Sequence, residues 1–157
     1  MAVERTLATS LGAAVLDGRG SLAQKLLLGF GLALIGSLVV AVSARVQVPF
    51  YPVPMTMQTF AVTLVAAAYG ARLGGAVMLL YLAEGALGLP VFANTPERGL
   101  GLAYMLGPTG GYLLGFTVAA FVVGHLVDRG WGRSWWRLGA AMALGMVPVY
   151  VLGAAWL

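Results

Sequence analysis

Apolar residues run in long, nearly unbroken stretches along this chain, while charged residues, proline and glycine gather in the intervals between them. A bilayer core about 30 Å thick is crossed by roughly 20 helical residues, and several stretches approach that length. The pattern predicts an all-α, polytopic membrane helical bundle with spans over residues 26–46, 57–71, 73–89, 110–127 and 138–157. The second and third spans are short and are parted only by Gly70-Ala71-Arg72-Leu73-Gly74-Gly75. They are expected to form an antiparallel hairpin with a tight turn there, Arg72 snorkelling to the surface. Residues 1–25 form a separate segment whose charges, Glu4, Arg5, Asp17, Arg19 and Lys25, do not fit a signal peptide. Val3, Leu7, Leu11 and Val15 recur every four residues, as in an amphipathic helix lying on the membrane; a disordered tail is the alternative.

Composition sharpens the class. The 157 residues are 61% hydrophobic and 9% charged, with a mean hydropathy of +0.93, whereas soluble domains carry about 25% charge. So few charges cannot cover a soluble surface, and so much apolar content excludes disorder. The absence of cysteine excludes disulfides and thiol chemistry, and one histidine with five scattered carboxylates makes no metal centre. The net charge of +4 is read as an arginine surplus on the cytoplasmic side and not as a nucleic-acid footprint, since no nucleic-acid-binding motif accompanies it. With the N-terminus cytoplasmic, Arg5, Arg19, Lys25, Arg72, Arg129, Arg133 and Arg137 lie inside and only Arg45 and Arg98 outside. Trp131, Trp135 and Trp136 then fall at the cytoplasmic interface, and His125 at the cytoplasmic end of the fourth span has a structural or interfacial role.

Two long connections, residues 47–56 and 90–108, lie outside in this topology. Pro49, Pro52 and Pro54 make the first a stiff extended segment. The glycines and Pro108 of the second let irregular backbone dip toward the membrane, where it is tolerated only if buried in protein or lining a cavity. No nucleophile–base set is present, and Gly107-Pro108-Thr109-Gly110-Gly111 lacks the Gly-Lys-Ser/Thr ending of a phosphate loop. Glu84 stands out as a carboxyl within a span, a functional candidate or a hydrogen-bonded tie between helices. Arg98 can clamp a carboxylate through two N–H bonds or stand solvated beside Glu97. Gln58, Asn94, Tyr81, Tyr104 and Tyr112 offer neutral hydrogen-bonding groups among apolar side chains, the setting of a small-ligand site or of ordinary structural polar groups. Gly29, Ala33, Ser37 and Ala41 set small residues along one face of the first span, for a partner helix or for packing within the chain.

Three blocks, Val48-Pro49-Phe50-Tyr51-Pro52-Val53-Pro54-Met55-Thr56-Met57-Gln58, Gly88-Leu89-Pro90-Val91-Phe92-Ala93 and Gly107-Pro108-Thr109-Gly110-Gly111-Tyr112-Leu113, occur in this order. In them, and in the spans before each, the chain from about Ala33 onward resembles the BioY family, the biotin-specific S components of energy-coupling-factor (ECF) transporters. The resemblance implies a six-helix, multi-pass protein of the prokaryotic cytoplasmic (inner) membrane, both termini inside, that captures biotin from outside and is not an enzyme. It implies a transmembrane coupling protein and two cytoplasmic ATPases as partners, no cofactor, and biotin as the transported ligand. Gly29, Ala33, Ser37 and Ala41 match the face that docks on the coupling protein. Asn94 and Gln58 are expected at the ureido ring and Arg98 at the carboxylate or at the loop closing over it, with Tyr81, Glu84 and Tyr112 as further contacts. An S component for another small vitamin, or a solitary oligomeric carrier, is the alternative. Family members end in a sixth helix with an Asp and a Lys that help hold biotin, whereas this chain stops at Ala154-Ala155-Trp156-Leu157. The expectation is a bundle over residues 26–157 that lacks the last helix.

Overall fold

The computed structural model describes residues 10–157; Val3, Glu4, Arg5 and Leu7 lie outside the described residues. Helix α1, Leu11–Asp17, starts where the Ser10 hydroxyl accepts the Ala13 N–H. Its Gly12 is buried against the Tyr69 carbonyl and the Leu73 side chain, so the helix is docked on the bundle through the one residue that lets backbone approach backbone.

Helix α2, Leu22–Ser43, begins earlier than the expected residue 26, because Ser21 and Gln24 form a reciprocal capping box ahead of the apolar run. Lys25 therefore lies in the first turn of α2. The helix ends short of residue 46, where the Ser43 hydroxyl turns back to the Val40 carbonyl at 2.6 Å. The proline-rich connection is not merely extended: Gln47–Val48 (β1) and Met55–Thr56 (β2) pair antiparallel, Gln47 opposite Thr56 and Val48 opposite Met55.

Helix α3, Gln58–Ala86, is two helices joined at Gly70, whose φ of +79° lies outside helical space. A straight helix would separate Gln58 and Tyr81 by about 35 Å, yet the Gln58 amide donates to the Tyr81 hydroxyl at 2.6 Å. The arms, residues 58–69 and 71–86, are thus antiparallel, and the expected turn over 70–75 contracts to one residue. Glycine suits that positive φ, and a Cβ there would collide with the Ser10 hydroxyl and the Asp128 carboxylate. Asp128 also accepts the Ala71 N–H at 2.9 Å, capping the second arm with a residue from another helix. Gly74 stays helical and lets the arms close, a Cβ there falling 3.1 Å from the Ala66 Cα.

A short helix α4, Gly101–Met105, precedes α5, Gly110–Asp128. A single 3-10 turn, Trp131–Arg133, leads to α6, Trp135–Trp156. Helix α6 thus begins ahead of the expected residue 138, with Trp135 and Trp136 stacked at 3.9 Å in its first turn. Gly111 and Gly115 of α5 face Leu152, Trp156, Pro148 and Val149 of α6, so these helices approach at backbone distance. Among the described residues, four helices are long and apolar enough to cross a membrane, one of them folded back on itself. The most apolar windows of α3 and α5 are 61% and 56% buried and those of α2 and α6 only 28% and 22%. The hairpin and α5 therefore form the centre, while α2 and α6 flank it with leucine, valine and isoleucine turned to lipid.

Candidate functional site

Helix α2, at 22 residues, is about 33 Å long, whereas the first arm of α3 is about 18 Å. The shorter arm leaves a depth that regular helix does not fill, and the β1–β2 ladder and residues 87–109 occupy it. Irregular backbone at that depth needs internal partners, and the second connection finds them around Phe92. The Phe92 ring, fully buried, fills the space beside Gly85, meets Tyr81 edge-on at 5.4 Å and stacks on Tyr104 at 4.9 Å. Both tyrosines then hold its flanks: the Tyr81 hydroxyl donates to the Val91 carbonyl at 3.0 Å and the Tyr104 hydroxyl to the Ala93 carbonyl at 2.7 Å. Burial raises the Tyr104 pKa above the ordinary phenol value, which keeps this donor protonated.

The connections are also tied to each other. The Arg45 guanidinium donates to the Thr95 carbonyl at 2.8 Å and to the Pro90 carbonyl, and Arg98 donates to the Pro52 carbonyl at 2.9 Å. The Gln47 amide donates to the Asn94 side chain, while Asn94 itself sits at φ +55°, a conformation asparagine adopts more readily than most residues. The Gln47 Oε1 is buried without a hydrogen-bond partner among the described residues.

Beneath this cover lies a cavity of about 310 Å³. Strand β2 and the start of α3 form one side through Met55, Thr56, Gln58 and Phe60; Tyr104, Thr109, Tyr112 and Phe116 form another; Met146, Val149 and Tyr150 of α6 complete it. Most of the wall is apolar, with a few convergent amide, hydroxyl and phenol groups, the composition of a pocket for a small organic molecule. Gln58 is buried and its amide is aimed by Tyr81, so it is a preset hydrogen-bonding group.

Of the residues expected to bind a ligand, Gln58 and Tyr112 line the cavity. Tyr81 stands one step behind, orienting Gln58. Asn94 and Arg98 belong to the cover, Asn94 adjoining the cavity-lining Ala93 and Arg98 pointing to Pro52. Glu84 faces α2, where the Ser37 hydroxyl donates to its carboxyl; this is the tie between helices and not a wall of the cavity. The small-residue face divides accordingly. Ser37 and Ala33 are buried within the chain, Ala41 and Gly29 are half-buried, and Gly29 has open space among the described residues where a side chain would stand. Sequence reasoning passed over Tyr150 and Thr109 as lining groups and Arg45 as the clamp on the second connection. Arg45 carried a signal, being an arginine at the end of a span that the expected orientation turns outward, against the positive-inside tendency.

The fold and the cavity define a polytopic helical membrane protein with a small-molecule pocket under its loops. The BioY family model matches residues 6–157, and the chain belongs to that family. It is similar to the biotin transporter BioY of Thermotoga maritima, 40% identical over 114 residues that make up 73% of this chain and 64% of the relative. It is likewise 39% identical over 117 residues to the probable biotin transporter BioY of Pyrococcus horikoshii, covering 74% of this chain and 66% of the relative. The chain thus spans about two thirds of the length of these relatives. A crystal structure of the S-component for biotin from an ECF-type ABC transporter shares the fold, with a TM-score of 0.71 at 22% identity over 87% of this chain and 74% of the other.

Proposed function

We propose that the chain is the biotin-binding part of a vitamin-uptake system, a capture subunit without chemistry of its own that partner transmembrane and ATPase subunits energise. The observation that carries this reading is the cavity under the tied loops, largely apolar, with the Gln58 amide preset by Tyr81. Biotin pairs an apolar bicyclic body with a ureido group that both donates and accepts, and a carboxamide meets such a group with one donor and one acceptor. The names of the relatives support the same ligand. Gln58 and Tyr112 touch the ligand, while Asn94 and Arg98 hold the cover that closes over it. The basic face carrying Arg72, Arg129, Arg133 and Arg137 is cytoplasmic, so the cavity opens to the outside. Of the small-residue face, Gly29 is the position left open to a partner helix.

Calorimetric titration of the detergent-purified chain with biotin, desthiobiotin and thiamine tests the assignment. Saturable binding that favours biotin, weakened at least tenfold by Gln58→Ala, is the expected result; thiamine binding as tightly as biotin overturns it.

A further inference from the structure

At the end of the bundle opposite the cavity, α1, the start of α2 and the second arm of α3 enclose a groove of about 450 Å³. Lys25 and Arg72 stand among its lining residues, near the N-terminus of α2 and beside the Gly70 turn. Below them the walls are Gly29, Phe30, Ala33 and Leu80, with no polar side chain. From Lys25 to Ala33 the helix descends about 12 Å, from the membrane surface into hydrocarbon. Gly29 leaves this trough open, with no atom of the described residues within 4 Å of where its Cβ would stand. Lys25 is anchored by donating to the Leu16 carbonyl at 2.8 Å, which holds the ammonium at the rim with N–H bonds to spare. Asp17 and Asp128 line a small neighbouring cavity shared with Arg72, but among the described residues no carboxylate lines the groove itself.

We propose that this groove is a site for one anionic phospholipid, its headgroup phosphate between Lys25 and Arg72 and an acyl chain in the trough along Gly29, Phe30, Ala33 and Leu80. Two cations above an uninterrupted apolar channel reproduce the polarity of such a lipid along its length. Basic pockets between membrane helices on the cytoplasmic side are suited to this chemistry. The site is separate from the cavity and does not depend on which ligand the cavity takes; the lipid occupies the trough at Gly29 in the chain without its partners and gives it up where a partner helix docks there.

The test uses the whole chain in nanodiscs of mixed phosphatidylglycerol and phosphatidylcholine, with native mass spectrometry reading which lipid remains bound. One phosphatidylglycerol is expected to stay with the wild-type chain in preference to phosphatidylcholine. The double variant Lys25→Gln/Arg72→Gln is expected to weaken its retention roughly 30-fold, from about 1 kcal/mol per basic residue near the surface. Ala76→Phe, at another lining position, fills the trough and is expected to weaken it without changing charge, while Arg133→Gln, on the same face but outside the groove, leaves it unchanged. Far-UV circular dichroism verifies that each variant keeps its helices. Equal retention of the two lipids, retention unchanged in both groove variants, or a loss in Arg133→Gln equal to that of the double variant overturns the proposal. So does a groove that holds no lipid and is filled only by an added partner membrane protein.

Discussion

The two ends of the bundle solve the same problem, how to finish apolar helices at a membrane surface, in opposite ways. At the loop end, Tyr81, Tyr104, Arg45 and Arg98 all spend their polar groups on carbonyls of the connecting chain. The long irregular segments are thereby fixed over a cavity. At the basic end the connections are minimal, one glycine at residue 70 and a single 3-10 turn at Trp131–Arg133. There one carboxylate, Asp128, joins three elements by accepting from the Ser10 hydroxyl at 2.7 Å and from the Ala71 N–H. The shaped cavity lies where the loops are long and tied; the groove with two basic residues lies where they are short.

Removing the buried ring around which the second connection is packed breaks this contrast most strongly. Phe92→Ala is expected to lower stability by about 3–5 kcal/mol, the usual cost of emptying a buried aromatic position, seen as a large fall in detergent melting temperature together with loss of ligand binding. Next comes Gly70→Ala at the basic end, expected to cost about 2–3 kcal/mol because it forces a non-glycine residue into left-handed space and parts Ser10 from Asp128. Its signature is a lower melting temperature with biotin affinity unchanged at the temperatures where it remains folded. Tyr81→Phe sharpens the comparison by removing a bond that serves both the cover and Gln58. An expected loss of about 1–2 kcal/mol in stability should come with weaker biotin binding by calorimetry. Asp128→Asn should cost about 1 kcal/mol, since the amide still accepts one of the two bonds, and should be silent in binding. The smallest effect is expected for Gly29→Ala, mid-helix and facing open space, a stabilisation of at most about 1 kcal/mol, read from the melting temperature.

Much of the scaffold was legible before any coordinates. The all-α class, the fold-back near residue 70 and the short second and third spans follow from the placement of apolar runs, because a bilayer admits few ways to satisfy backbone polar groups. Gln58 and Tyr112, which line the cavity, were legible as candidates because neutral hydrogen-bonding groups beside apolar runs are conspicuous in a chain so poor in polar side chains. Asn94, Arg98 and Glu84 were equally conspicuous and stand elsewhere, Asn94 and Arg98 in the cover and Glu84 paired to Ser37 of α2. A polar residue in a membrane protein must find a partner, and the sequence does not say whether that partner is a ligand or another part of the chain. Tyr150 escaped notice for a related reason, since which side of α6 faces α5 is set by the glycines of both helices together.

The sequence alone therefore determined that this protein is a membrane bundle, where it turns, which end is basic and which family it resembles, since these depend on composition and order along the chain. The tertiary structure decided that Phe92 fills the space beside Gly85, that Asp128 caps a helix it does not belong to, that Ser37 faces inward to Glu84, and that the cavity opens beside β2. Each of these depends on distances between residues far apart in sequence, from seven positions for Gly85 and Phe92 to 118 for Ser10 and Asp128. Such distances are fixed only when close-packed helices choose which faces to bury.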